Sequence, residues 1–157
     1  IDGTLANLDH RLHHLNKGPG AKDVATADES KKIDWDAFHA ECDKDEPIVP
    51  ICNLVRELAD ADWCIILITG RGSGNRWTTE EWLSKRDVPY DLLLMRKEGD
   101  HSPDIEVKQA WLDLIRSGEL SVPGMQQPEI AIEDRARTIK MWRDNGIMAL
   151  QCDEGDF

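Results

Sequence analysis

From Pro47 onward, short apolar runs alternate with amphipathic segments, and this alternation leaves few folds open. The runs are "WCIILIT" (63–69), "YDLLLMR" (90–96), "EIAIED" (129–134) and "IMALQC" (147–152). Each is too short for a typical helix, and the continuous apolar ones suit strands covered on both faces. Helical patterns lie between them. "PICNLVRELADA" aligns Ile51, Leu54, Val55 and Leu58 on one stripe. "TTEEWLSKR" has Thr78 three residues before Glu81, the spacing of a capping box. "SPDIEVKQAWLDLIRSG" offers Ser102 as cap, Pro103 at the first helical position and Gly118 as the stop. Its stripe is Val107, Ala110, Trp111 and Leu114. "RARTIKMWRDNG" closes at Gly146. This order predicts an α/β chain, a three-layer doubly wound parallel sheet with helices on both faces.

The first third reads differently. After "IDGTLA" the chain is polar as far as Glu46, and "NKGPGAKDVATADESKK" (16–32) has breakers and no apolar period. That composition predicts a long mobile loop. Short helical pieces flank it, "LDHRLHHL" and "DWDAFHAEC", with Trp35, Phe38 and Cys42 at helical spacing. The expected organisation is a core of residues 1–6 and 47–157, with 7–46 inserted as a small cap or mobile loop.

A chain of 157 residues suits one domain. Its longest apolar run, "CIILI", is far too short to cross a bilayer, and no signal peptide is visible. No membrane partner is expected. Cys42, Cys52, Cys64 and Cys152 show no CxxC spacing, which points to reduced thiols and a cytoplasmic setting. The net charge of −12 argues against binding an extended duplex. A small phosphate ligand remains compatible where a few cations and a metal converge. "GRGSGNRW" lacks the Gly-Lys-Ser/Thr ending of a Walker loop, so a kinase domain could only be fused outside this stretch.

In open α/β sheets, ligands bind beyond the carboxyl ends of strands. "DGT" follows Ile1, "TGR" follows Ile68 and "ED" follows Ile132. Asp2, Glu133 and Asp134 would thus meet at one rim. Such a carboxylate cluster calls for a cation, and Mg2+ suits oxygen ligands. Thr69 brings a hydroxyl, and Gly70 lets a ligand approach the backbone. Lys108, Arg71 and Arg11 supply charge for phosphate oxygens. Carboxylates, hydroxyl and cations around one metal describe phosphoryl transfer better than redox chemistry or proton abstraction.

These residues also carry a resemblance. "IDGTLA", "ILITGR", Lys108 and "IAIEDR" resemble, in order, the four motifs of the haloacid dehalogenase-like phosphohydrolases. Arg11, the "PDIEVK" approach to Lys108, "EDR" followed by "MW", and the terminal "GDF" are similar to the phosphatase domain of phage polynucleotide kinase-phosphatases. The resemblance spans 1–11 and 47–157 and leaves out the intervening insertion.

It implies a Mg2+-dependent phosphomonoesterase acting through an aspartyl-phosphate. The nucleophilic Asp is expected immediately before Ile1, on a first core strand that the sequence does not include. Asp2 would be the acid–base. Thr69 and Lys108 would bind the phosphoryl group, Lys108 also countering the charge of the intermediate. Gly3, Thr4, Gly70, Arg11 and Arg71 would serve substrate binding, with Asp104 orienting a cation. The Asp before Ile1, the Asp2 carbonyl and Asp134 are the expected metal ligands, with Glu133 beside them at the metal site. Glu133 stands where the motif has Asp, and its longer side chain is expected to reach Lys108 or a metal-bound water. The implied substrate is a 3′-phosphate on a nucleotide or nucleic-acid end. A small-molecule phosphatase or nucleotidase is the alternative, as is an inactive phosphate-binding module if the residue before Ile1 is not Asp.

Plainer readings exist for several residues. Asp2 could be a turn aspartate, Lys108 a solvated helix lysine, and Arg11 and Arg71 ion-pair partners. His10, His13 and His14 have helical spacing, but zinc would need a further ligand, with His39 the nearby candidate. A polar face of the cap is the simpler reading. Trp82, Trp111 and Trp142 read as packing residues, whereas Trp35 and Trp77 lie nearer the expected site.

Overall fold

A computed structural model describes residues 1–15 and 33–155. The loop expected over 16–32 lies outside the described residues. Among the described residues there are six strands and five α-helices, with short 3-10 turns between them. β1 (Ala6–Asn7) pairs antiparallel with β2 (Glu46–Pro47), so the segment between them leaves and returns side by side. That segment holds a 3-10 helix (Asp9–Leu15) and α1 (Trp35–Ala40), capped by the Asp34 carboxylate on the Ala37 N–H at 2.9 Å. Leu8, Leu12, Leu15 and Phe38 form its own small core.

The rest runs α2 (Val49–Asp60), β3 (Ile66–Gly72), α3 (Arg76–Lys85), β4 (Leu92–Arg96), α4 (Asp104–Ser117), β5 (Ile130–Arg135), α5 (Ala136–Asp144) and β6 (Met148–Gly155). β3 pairs with β4 and β5 with β6, both parallel. Parallel neighbours joined by helices are what the alternating sequence predicts. The single doubly wound sheet is not what is observed: the strands form separate pairs. Between the two parallel pairs lies a cavity of about 460 Å³, lined by Ile66 and Ile68 of β3 and by Ile130 and Ile132 of β5. The edges that would join the pairs therefore face a void.

Two cores flank that void. Leu67, Trp82, Leu83, Leu93 and Met95 pack with Cys52 and Val55 on one side. Leu112, Ile139, Trp142, Ile147 and Ala149 pack on the other. All four cysteines are free thiols, as their spacing suggests. Among the described residues, no helix is long and apolar enough to cross a membrane.

Several local expectations need correction. In α2 the buried residues are Cys52 and Val55, and Leu54 is exposed, because the helix turns its small thiol inward. α3 starts at Arg76, so Thr78 sits inside the helix and caps nothing. α4 begins after Pro103 with no side-chain cap, so Ser102 is not the cap. Its buried face is Val107, Lys108, Leu112 and Ile115, one position round from the expected stripe, and Ala110 is exposed. The rotation is driven by Lys108, which turns inward onto carboxylates. Gly118 does end α4, with φ +77°, a left-handed conformation open to glycine.

Leu112 has no exposed surface and joins α4 to the second core. Leu112→Ala should lower unfolding stability by about 3 kcal/mol, read from the urea midpoint. An unchanged midpoint would show that this core does not hold α4.

Candidate active site

The carboxyl ends of β3 and β5 and the turn after Ile1 bring three groups of charge together. The first centres on Asp2. Its Oδ1 accepts from Arg11 Nη2 at 2.7 Å and from Arg71 Nε at 2.9 Å. Burial works against the Asp2 charge, but the Arg71 and Arg11 guanidinium groups hold its carboxyl well below the usual range. The same arginines share a second carboxylate, Asp45. Arg11 Nε and Nη2 reach it at 2.7 and 2.6 Å, and Arg71 Nη2 at 2.7 Å. Arg11, Arg71 and Asp45 have no exposed surface. Arg71 is buried against the cost of desolvating its charge, and Asp2 then raises its pKa.

Sequence reasoning missed Asp45. It follows the short helical piece, where one acid among the three of "CDKDEP" gives no periodic signal. The structure explains its place. Trp82 Nε1 and Arg86 Nη2 each donate to its backbone carbonyl at 2.8 Å, fixing the strand end that carries it. His10 lies 2.9 Å from its Oδ1.

The second group is Thr4, Gly3 and Asp134. Thr4 Oγ1 donates to Asp134 Oδ1 at 3.0 Å. Asp134 Oδ2 is buried with no hydrogen-bond partner. A Cβ added to Gly3 would stand 2.2 Å from that oxygen, and one added to Gly155 would stand 2.1 Å away. Both glycines thus leave room for the carboxylate, and Gly3 also has φ +77°. Gly155 belongs to the "GDF" tail, so the last strand helps to wall the site. Burial, then the neighbouring Glu133, push the Asp134 pKa up to about 6.

The third group surrounds Lys108. Its Nζ sits 2.7 Å from Glu133 Oε2 and 3.1 Å from Asp104 Oδ2. Arg96 and Arg135 each approach Asp104 at 3.4 Å. Asp104 packs against Gly70, where a Cβ would come within 2.9 Å of its Oδ1. Thr69 is buried, and its Oγ1 accepts from the Arg71 N–H at 3.2 Å.

The second and third groups border one cavity. Ile1, Thr4, Lys108 and Glu133 line the cavity between the strand pairs. His39, on α1, has a buried Nδ1 without a partner. Burial lowers its pKa, with Asp2, Arg11 and Arg71 as its charged neighbours, so the cap faces the same centre.

A divalent cation fits this donor set. An orphaned buried carboxylate oxygen beside a second carboxylate is a site short of positive charge. Lacking a cation, Asp134 destabilises the fold at neutral pH by about 3 kcal/mol. Because its folded pKa is raised, the penalty is complete above about pH 6 and fades as pH falls towards 4. Asp134→Asn should therefore raise the melting temperature in chelator at pH 7, and the gain should shrink below pH 6. A lowered melting temperature at pH 7 would mean that the carboxylate already has a counter-charge.

Comparison with known proteins accords with this geometry. The family model described as "Polynucleotide kinase PNKP phosphatase domain" matches residues 22–157. A solved structure titled "Structure of Pnkp1/Rnl/Hen1 complex" superposes with a TM-score of 0.71 at 25% identity, over 100% of this chain and 44% of that one. Another, "Structure of the Pnkp1/Rnl/Hen1 RNA repair complex", gives 0.65 at 28% identity, over 76% of this chain and 37% of that one. The chain thus spans less than half the length of these solved chains. With its parallel α/β pairs, the chain belongs to the phosphatase-domain family of polynucleotide kinase PNKP and has the haloacid dehalogenase-type fold.

Proposed function

We propose that this chain is a Mg2+-dependent phosphomonoesterase whose favoured substrate is a 3′-phosphate at a polynucleotide end or on a nucleotide. The observation that supports it best is the meeting of an unpartnered Asp134 oxygen, a buried Lys108 and two buried arginines around the turn after Ile1. That is a site for a cation and an anion together. One of the similar solved structures is an RNA repair complex, which favours nucleic-acid ends over metabolites.

Mg2+ would be held by Asp134 and the Asp2 carbonyl, and it would neutralise charge on the transferred phosphoryl group. Glu133 is committed to Lys108 and so orients that lysine. Lys108 and Thr69 bind phosphoryl oxygens. The nucleophile is assigned to an Asp immediately before Ile1, on a strand lying in the gap between β3 and β5. Such a strand would join the two pairs into one doubly wound sheet.

Asp2 has to act as an acid, and its partners oppose this. Two guanidinium groups stabilise its anion. An arriving phosphate dianion competes for those same N–H groups. As Arg11 and Arg71 turn to the phosphate, the Asp2 pKa rises. Asp2 can then protonate the leaving alkoxide and later deprotonate the attacking water. Asp45 keeps the arginines in place meanwhile, and segment 7–46 acts as the cap.

The net charge of −12 favours the second reading, a phosphatase for small monoesters or nucleotides. Phosphate release from a 3′-phosphorylated oligonucleotide, a nucleoside 3′-monophosphate and a sugar phosphate separates the two. The assay uses a chain that includes the position before Ile1. The oligonucleotide should give the highest kcat/KM, and a preference for the sugar phosphate would overturn the nucleic-acid assignment. Asp2→Asn should lower kcat by about 10²-fold or more while circular dichroism stays unchanged. Full turnover in that variant would remove Asp2 from the acid–base role.

A further inference from the structure

The cap carries a second cluster that the phosphatase reading does not use. The 3-10 helix Asp9–Leu15 presents His13 and His14, and Glu41 follows α1 directly. One ligand-capable atom from each of these three residues lies within 4.8 Å of the others, and among the described residues this is the trio of such side chains that meets so closely. We propose that His13, His14 and Glu41 form a zinc-class transition-metal site, separate from the Mg2+ centre.

The details suit a metal. His14 Nε2 stands 3.0 Å from Glu41 Oε2, near the spacing of two ligands sharing one tetrahedral ion. His13 Nδ1 lies 3.0 Å from the His10 carbonyl. A carbonyl only accepts, so Nδ1 carries the proton and Nε2 keeps a free lone pair. That second bond to a carbonyl is how metal-binding histidines are commonly oriented. The two imidazole rings are 3.9 Å apart, so both nitrogens can reach one ion after small side-chain rotations. Lys44 Nζ holds Glu41 Oε1 at 2.9 Å and leaves Oε2 as a single-oxygen ligand.

The donor chemistry selects the metal class. Two imidazoles and one carboxylate favour Zn2+ and its neighbours, whereas Mg2+ prefers oxygen. His13 is exposed and the other two are half-buried, so an ion can enter from solvent and keep a water as fourth ligand. The further ligand is Glu41. His39 is not part of the cluster, and His10 turns instead to Asp45. A bound ion would tie the 3-10 helix to the end of α1. Those elements already meet where Arg11 Nη1 donates to the Phe38 carbonyl at 3.1 Å. The metal would therefore stiffen the support of Arg11 without touching the reacting atoms.

The test is calorimetric titration of the chelator-treated chain with zinc chloride, beside His13→Ala, His14→Ala and Glu41→Gln. The expected result is one zinc per chain, unaffected by excess Mg2+, with each substitution weakening binding by about tenfold or more. Cobalt in place of zinc should give visible bands without sulfur charge transfer. His14→Gln replaces the alanine variant if that one fails to fold. No saturable uptake, equal uptake by all variants, or a thiolate band would each overturn the proposal. Binding is read without any turnover assay, so its outcome stands apart from the phosphatase reading.

Discussion

The site depends on a buried square of charge. Asp2 and Asp45 face Arg11 and Arg71, and three of the four have no exposed surface. Each ion alone would be intolerable in that environment, and removing one partner of such a network commonly costs about 3–5 kcal/mol. The balance is possible because the chain delivers the four from distant places. Asp2 comes from the turn after Ile1, Arg11 from the 3-10 helix, Asp45 from the approach to β2, and Arg71 from β3. The square therefore anchors the cap segment to the core as well as setting the arginines at the site. A second balance, Lys108 with Glu133 and Asp104, repeats the device on the other strand pair. Asp134 has Thr4 on one oxygen and no hydrogen-bond partner on the other, which is buried.

Much of this was legible in the sequence because strand ends have a simple signature. A buried apolar run followed by Thr-Gly-Arg or Glu-Asp says both where a strand stops and what stands at its tip. β3 and β5 are legible that way and β4 and β6 from their apolar runs, with boundaries that differ by one or more residues except the end of β4 at Arg96. The sequence points Arg11 and Arg71 to the substrate, with ion pairing as the plainer reading, and Glu133 to Lys108 or a metal-bound water. The ion pairs seen are those of the plainer reading and of Lys108 with Glu133. Asp45 was not legible, since a buried acid in an irregular segment has no period to betray it. Its burial is a tertiary fact, arising only when two arginines arrive from elsewhere.

The misread helices have two causes. Stripe reading assumes that an inward face is apolar. In α4 the inward face contains Lys108, so the apolar residues alone gave a stripe one position off. In α3 a plausible capping pair lay inside the helix, because Asn75 and Arg76 had already turned the chain. The sheet raised a different difficulty. Alternation predicts parallel neighbours, and these occur, but it does not predict which pairs share an edge. The gap of about 460 Å³ between β3 and β5 is lined by isoleucine side chains.

The central claim is that one pocket receives both a cation and a phosphoryl group. A crystal structure grown with Mg2+ and tungstate, a heavy phosphate-shaped anion, tests this most directly. The expected map has the anion against Lys108 and Thr69, the cation on Asp134, and the Arg11 or Arg71 guanidinium drawn from Asp2 towards the anion. An anion bound elsewhere on the molecule, with Asp134 still bare and both arginines unmoved, would contradict it.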